Sequence, residues 1–283
     1  MYIHFTKMEG LGNDFILLDD RNGEIGRAAE YEELSKRLCS RHFGIGADGI
    51  IIIGKSADHD FRFTIFNSDG SRAQMCGNGM RCFAKYLYEN GIATSDQFTV
   101  ETDAGTVVPE IFPDEQGRVS YVKVDMGQPV LLPDLIPFDG PGERAVAEKI
   151  VTRNRQETVT VLSMGNPHAV VFVKDLAGVD IENRGRAIEN HERFPAKTNA
   201  EFVQVLGEKE LVMKVWERGA GRTLACGTGA CAAVVAARLN NLSPGTATVH
   251  LDGGDLEIEW NLENNHVYKT GPARLVFNGV VRI

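Results

Sequence analysis

The chain has 283 residues, 43% hydrophobic and 24% charged, with a net charge of −9 at pH 7. That composition excludes a disordered or fibrous chain and supplies enough apolar material for one large barrel or, more naturally, two domains of ~100–150 residues each. The acidic balance, without a lysine- or arginine-rich cluster, argues against nucleic acid as a partner and for a small-molecule ligand.

The N-terminal MYIHFTKMEG lacks a charged start followed by an apolar stretch, and the apolar runs 50–53 and 230–237 are too short to span a bilayer. The expectation is a cytoplasmic protein with no membrane partner. Gly12-Asn13-Asp14-Phe15 then reads as a turn leading into a buried strand. A helix is expected over residues 28–39, followed by a strand at FRFTIFNSDG. Cys76-Gly77-Asn78-Gly79 opens a second helix, in which Met80, Phe83, Ala84 and Leu87 share one face and Gly91 supplies the stop.

QFTVETDAG and residues 121–126 alternate as strands. The segment 127–142, with four prolines and three glycines, breaks any regular pattern and reads as a crossing or surface loop. Gly165-Asn166-Pro167-His168 repeats the turn-and-strand reading. A helix over residues 181–191 and strands at EFVQVL and LVMKVWERG follow. Cys226-Gly227-Thr228-Gly229 then opens a helix apolar nearly all round, so sheet is expected to enclose it. LEIEW is a strand, and ARLVFNGVVRI is expected to return to the first domain.

The two cysteine motifs are 150 residues apart, and the same offset lays Arg72 on Arg222 and Asn67 on Glu217. The two turn-and-strand openings are 153 apart, so both ends of each unit match in order and the chain reads as a duplicated α/β unit in a pseudo-two-fold arrangement. The domains expected are residues 1–119 plus 272–283, and residues 120–271.

Glycines flanking Asn78 and Thr228 let the backbone N–H groups at each helix start converge on a carboxylate. A cysteine in that position is poised for acid–base work, because a helix N-terminus favours thiolate. Two thiols on opposite faces of one carbon, one ionised and one protonated, would remove and return an α-proton with inversion. Like-charge coupling favours that unequal state. Either motif alone reads more readily as a glycine turn with a small buried cysteine; the duplication favours chemistry.

Cys39, Cys82 and Cys231 sit within helical runs as compact apolar residues. Five cysteines without a signal peptide fit reduced thiols, and their spacings lack the close pairs of zinc sites, so no metal is expected. No glycine-rich phosphate cradle accompanies a Schiff-base lysine, so pyridoxal phosphate is not indicated and no cofactor is expected.

The ordered set GLGNDF, NSDG, MCGNGMRC, GNPH, TNAEFVQ, WERG and ACGTGACAA, spread over nearly the whole chain, resembles the diaminopimelate epimerase family. The resemblance implies an α/β (α+β) fold of two pseudo-symmetric domains, each a curled, mostly antiparallel sheet around a central helix, with the active site in the cleft between them. It implies epimerisation of LL-2,6-diaminopimelate to the meso form, independent of pyridoxal phosphate, in lysine and peptidoglycan precursor synthesis. Cys226 would be the proton acceptor for the LL substrate and Cys76 the donor, with His168 and Glu217 modulating the thiol pKa values.

By the same resemblance, Asn13, Asn67, Gly77, Asn78, Asn166, Asn199, Glu217, Arg218, Gly227 and Thr228 hold the substrate, and Tyr268 lies in a homodimer interface. The chemistry suits a ligand with ammonium and carboxylate groups at both ends: Arg218 for a distal carboxylate, Glu217 for an ammonium, asparagines along the chain. One departure stands out. Better-known relatives carry glutamine where GIGADG has Gly49, which offers no side-chain contact. A proline-type racemase, a non-catalytic amino-acid binder and a thiol redox switch remain the alternative readings at this stage.

Overall fold

The computed structural model describes residues 1–26, 28–152 and 155–283. These form two compact units, Met1–Asp125 with Gly271–Ile283, and Met126–Thr270. The fold is α+β, with sheet predominating and a few helices packed against it.

The first unit contains β1 (Tyr2–Gly10), β2 (Asn13–Asp19), α1 (Ala28–Cys39), β3 (Gly49–Gly54), β4 (Phe61–Asn67), β5 (Arg72–Ala73), α2 (Gly77–Glu89), β6 (Val100–Thr102), β7 (Gly105–Val107), β8 (Glu110–Pro113) and β9 (Val119–Asp125). The C-terminal strand Arg274–Arg282 returns, as expected, to pair antiparallel with β1. From that edge the order runs C-terminal strand, β1, β2, β3, β4, β6, β7, with β5 alongside β4. Two pairs are parallel, β2 with β3 and β4 with β6.

Leu11 (φ 60°) and Gly12 (φ 83°) turn the β1–β2 hairpin. Two successive left-handed residues match the right-handed twist of the strands they join, and they set Asn13 at the head of β2. The β3 run Gly49–Gly54 is buried on both faces because helices cover both. Ile50 and Ile52 join Leu38 and Cys39 in the core under α1. On the other side Phe63 meets Phe83 of α2 edge to face, centroids 5.3 Å apart.

The second unit repeats the plan with β10 (Ala145–Thr152), β11 (Arg155–Ser163), β12 (Pro167–Phe172), α3 (Ile181–Glu189), β13 (Asn199–Gly207), β14 (Glu210–Glu217), β15 (Gly221–Thr223), α4 (Gly227–Leu239), β16 (Thr246–Leu251), β17 (Gly254–Asn261) and β18 (His266–Gly271). Its order is β10, β11, β12, β13, β14, β16, β17, β18, with β15 beside β14. The parallel pairs are β12 with β13 and β14 with β16, the counterparts of those in the first unit. The proline-rich segment 127–142 carries a short 3-10 turn, Pro133–Leu135, and one bridge from Val130 to Ser163.

α2 and α4 match residue for residue, each 13 residues long and each starting after a cysteine. In α4 every residue from Gly229 to Ala237 is buried, because its Ala and Val side chains let strands approach from several sides. The strands that meet it include β11, β12, β13, β16 and β17. The duplication extends to ion pairs: Arg72 Nη2 meets Asp103 Oδ1 at 2.7 Å, and Arg222 Nη2 meets Asp252 Oδ2 at 2.9 Å.

Candidate active site

Cys76 caps α2 in an extended conformation (φ −142°, ψ 115°), and its sulfur accepts the Gly79 N–H at 3.5 Å. A thiol thus takes the place usually held by a serine or aspartate oxygen. The start of α2 is closely packed: a Cβ on Gly79 would stand 3.0 Å from Ile51 Cδ1 and 3.5 Å from Phe63 Cζ. The N–H groups of Gly77 and Asn78, at the first two helical positions, have no acceptor within the helix and are free to hold an anion.

The half-buried Cys76 sulfur lies 3.8 Å from Asn13 Oδ1. Asn13 is itself fixed, donating through Nδ2 to Asp48 Oδ2 at 2.7 Å and accepting from Asn78 Nδ2 at 3.2 Å. Buried Arg81 then holds Asn78 Oδ1 at 2.9 Å and the Pro272 carbonyl at 3.0 Å. Cys76, Asn13 and Asn78 therefore form one bonded group. Asn67 ends β4 exposed, its amide donating to Ser71 Oγ at 2.9 Å across the NSDG turn. Its ladder partner is Gly49.

In the second unit Cys226 caps α4 in the same way (φ −120°, ψ 109°), accepting the Gly229 N–H at 3.4 Å. Thr228 Oγ1 is 3.5 Å from the sulfur. Cys226 is only 5% exposed. Burial first, then the charges of Glu217 and Glu201, push its thiol pKa well above the ordinary value. Gly227 and Thr228 offer the same pair of outward N–H groups as Gly77 and Asn78.

In the second unit three expected ligand-binding positions, Asn166, Asn199 and Arg218, join the expected thiol modulator His168 in one network. His168 Nε2 meets Asn166 Oδ1 at 2.9 Å, and His168 Nδ1 meets Asn199 Nδ2 at 3.4 Å and Glu201 Oε1 at 2.7 Å. Asn199 Oδ1 accepts the Arg218 backbone N–H at 2.7 Å. The parallel β12–β13 pairing, which sets His168 beside Asn199, brings these groups together. Glu217 ends β14 and accepts the Thr223 hydroxyl. The Arg218 guanidinium is exposed and donates to the Ala196 carbonyl at 2.8 Å.

Tyr268 stands half-buried on β18, its hydroxyl accepting from Asn264 at 2.8 Å and its ring stacked on His266. Cys39, Cys82 and Cys231 are buried and form no disulfide among the described residues. Burial pushes Cys39 and Cys82 up to about 12, so neither ionises near neutrality. Glu201, Glu189 and Asp48 support the site without having been singled out in the sequence. For Glu201 a signal existed: at the offset of 150 it falls on Ile51, a carboxylate where the first copy has an apolar residue.

A duplicated α+β unit that twice caps its buried helix with a cysteine defines an isomerase class in which each unit contributes one thiol. The family model for diaminopimelate epimerase matches residues 5–132 and 160–276. A diaminopimelate epimerase of Desulforapulum autotrophicum is 59% identical over 283 residues, covering 100% of both chains. One from Pelotomaculum thermopropionicum is 51% identical over 277 residues, covering 98% of each. The chain belongs to the diaminopimelate epimerase family, a family of isomerases.

Solved structures share the fold at low identity. A PhzF-family phenazine biosynthesis protein of Bacillus anthracis superposes with a TM-score of 0.72 at 16% identity, covering 100% of both chains. A probable proline racemase of Agrobacterium radiobacter reaches 0.69 at 15%, covering 99% of this chain and 92% of that one. No helix among the described residues is long and apolar enough to cross a membrane.

Proposed function

We propose that this protein interconverts LL- and meso-2,6-diaminopimelate with Cys76 and Cys226 as the acid–base pair, serving lysine and peptidoglycan precursor synthesis. The observation that carries the proposal is the matched capping of α2 and α4 by cysteines within a chain of this family. Each thiol sits beside two outward backbone N–H groups suited to the α-carboxylate of an amino acid.

From the LL side, the Cys226 thiolate takes the α-proton. The electrons of the C–H bond pass into the adjacent carboxylate, whose developing charge the N–H groups at Gly77, Asn78, Gly227 and Thr228 stabilise. The Cys76 S–H then delivers its proton to the opposite face and is left as thiolate, so the product differs from substrate only in configuration. In the reverse direction the roles exchange. A substrate ammonium beside Glu217 cancels one of the charges that hold the Cys226 proton in the free protein. Arg218 takes the distal carboxylate, and Asn13, Asn67, Asn166 and Asn199 bind along the ligand, with His168 supporting the Cys226 thiol.

Assembly as a cytoplasmic homodimer through a surface including Tyr268 belongs to the same proposal. Turnover of diaminopimelate by single variants tests it. Cys76→Ala and Cys226→Ala are each expected to lose about 10²–10⁴-fold in kcat, the usual share of a general acid or base. Near-parent activity in either would overturn the assignment.

A further inference from the structure

The two half-sites match in backbone but not in what lies beneath the thiol. In the first unit, the residues under the opening turn of α2 are apolar: Ile51 and Phe63 limit the space at Gly79. Phe15, the ladder partner of Gly49, is also buried there. In the second unit the position matched to Ile51 is Glu201, and the ladder partner of Asn199 is His168. Both are fully buried, at 0% exposure.

Glu201 is directed at the helix start. A Cβ on Gly229 would stand 2.9 Å from Glu201 Oε1 and 3.3 Å from Cys226 Sγ, so carboxylate and sulfur press against the same missing methyl. Oε1 is tied to His168 Nδ1 at 2.7 Å, while buried Oε2 has no hydrogen-bond partner among the described residues. A buried carboxylate with half its acceptor capacity unused costs stability. An isoleucine such as Ile51 would fill the space without that cost, so the charge has a use.

Resting on the two-thiol reading above, we propose that Glu201 is a positioning residue that makes the thiols unequal: held by His168 under the first turn of α4, its carboxylate keeps the proton on Cys226 in the ligand-free protein. Ile51 does nothing of the kind for Cys76. The two-thiol cycle needs one sulfur protonated and the other ionised; the built-in difference sets the resting state, and the ammonium of an LL substrate beside Glu217 offsets it so that Cys226 can give up its proton. The charged or titratable groups that act on this locus are Glu217 from β14, Glu201 from β13 and His168 from β12. Burial raises the Glu201 carboxyl, and the His168 bond and charge oppose that rise.

The test is the pH dependence of iodoacetamide alkylation of each thiol in the full-length, ligand-free protein, resolved by peptide mass spectrometry. Parent, Glu201→Gln and Glu201→Ile are compared. The glutamine keeps an acceptor for His168 and removes the charge; the isoleucine copies the first unit and serves if the glutamine variant does not fold. For Cys226 the midpoint is expected to fall by about one pH unit, or about tenfold faster reaction near neutrality. The Cys76 profile is expected to stay within about twofold.

A merely structural role would raise the alkaline plateau of Cys226 by opening access and leave its midpoint in place; that result, an unchanged profile, or parallel shifts of both thiols would overturn the inference. Turnover of diaminopimelate by the parent is assayed in parallel. Its absence would remove the catalytic reading, whereas an unmoved Cys226 midpoint with turnover present would remove only the role of Glu201.

Discussion

The indole N–H of Trp216 donates to Glu189 Oε2 at 2.7 Å, and the other oxygen of the same buried carboxylate accepts the Gly219 N–H at 3.0 Å. Glu189, at the end of α3, thus clamps both sides of the Glu217-Arg218 pair. Trp216 fits this place because Gly185 gives it room: a Cβ there would stand 2.4 Å from the Trp216 Cβ. Packing of α3 on β14 therefore sets where the proposed ammonium and carboxylate ligands stand.

Glu189→Ala leaves the buried Trp216 indole N–H without its acceptor, at about 1–3 kcal/mol, and releases the exposed Gly219 N–H to solvent. Urea unfolding is expected to show that loss, with kcat/KM falling as Glu217 and Arg218 loosen. Glu189→Gln, which keeps one acceptor oxygen, is expected to recover part of both. A Glu189→Ala protein as stable and active as the parent would contradict the clamp.

Gly49 has a structural reason to remain glycine. A Cβ there would stand 2.6 Å from the Phe66 carbonyl oxygen, across the β3–β4 ladder. Installing the glutamine of better-known relatives, Gly49→Gln, must push β3 and β4 apart and is expected to cost about 1–3 kcal/mol, as overpacking does. Calorimetry would show a lowered melting temperature with no gain in substrate affinity. Unchanged stability with a lower KM would show instead that the strands yield and the glutamine contact forms.

Cys82 predicts a specific alkaline behaviour. An unfolded thiol ionises near 9.0, whereas burial holds Cys82 to about 12. Its contribution is fully present below the unfolded value. Between the two values the folded state binds more protons than the unfolded one, so stability falls by up to ~1.4 kcal/mol per pH unit from this group. Denaturant midpoints followed into the alkaline range are expected to decline less steeply in Cys82→Ala than in the parent, from a lower starting stability. Equal slopes would contradict this account.

Most of the helical scaffold and both thiol positions were legible because they rest on local signals. Cys-Gly-X-Gly marks each helix start, Gly91 marks a stop, and the all-round apolar GACAAVVAARL announces an enclosed helix, as α4 proves to be. The return of the C-terminal strand to β1 was readable as leftover strand after a completed repeat.

The pairing of His168 with Glu201 was not legible. It depends on the parallel register of β12 and β13, which sequence periodicity leaves open, and Glu201 reads as one polar residue in an alternating strand. Glu189 was hidden for a similar reason: a glutamate at a helix end looks solvated until α3 docks on β14 and buries it at 5% exposure. Both are charges whose meaning comes from tertiary packing.

The central claim is that two thiols share the work, one for each configuration of the carbon. It is tested most directly by turnover of LL-diaminopimelate in D2O, stopped at low conversion, with the α-hydrogens of product and unreacted substrate analysed separately. The account predicts solvent deuterium at the inverted centre of the meso product, while recovered LL substrate remains protiated. Deuterium entering recovered LL substrate as fast as product, or product that retains the substrate's own hydrogen, would show one group serving both faces and contradict it.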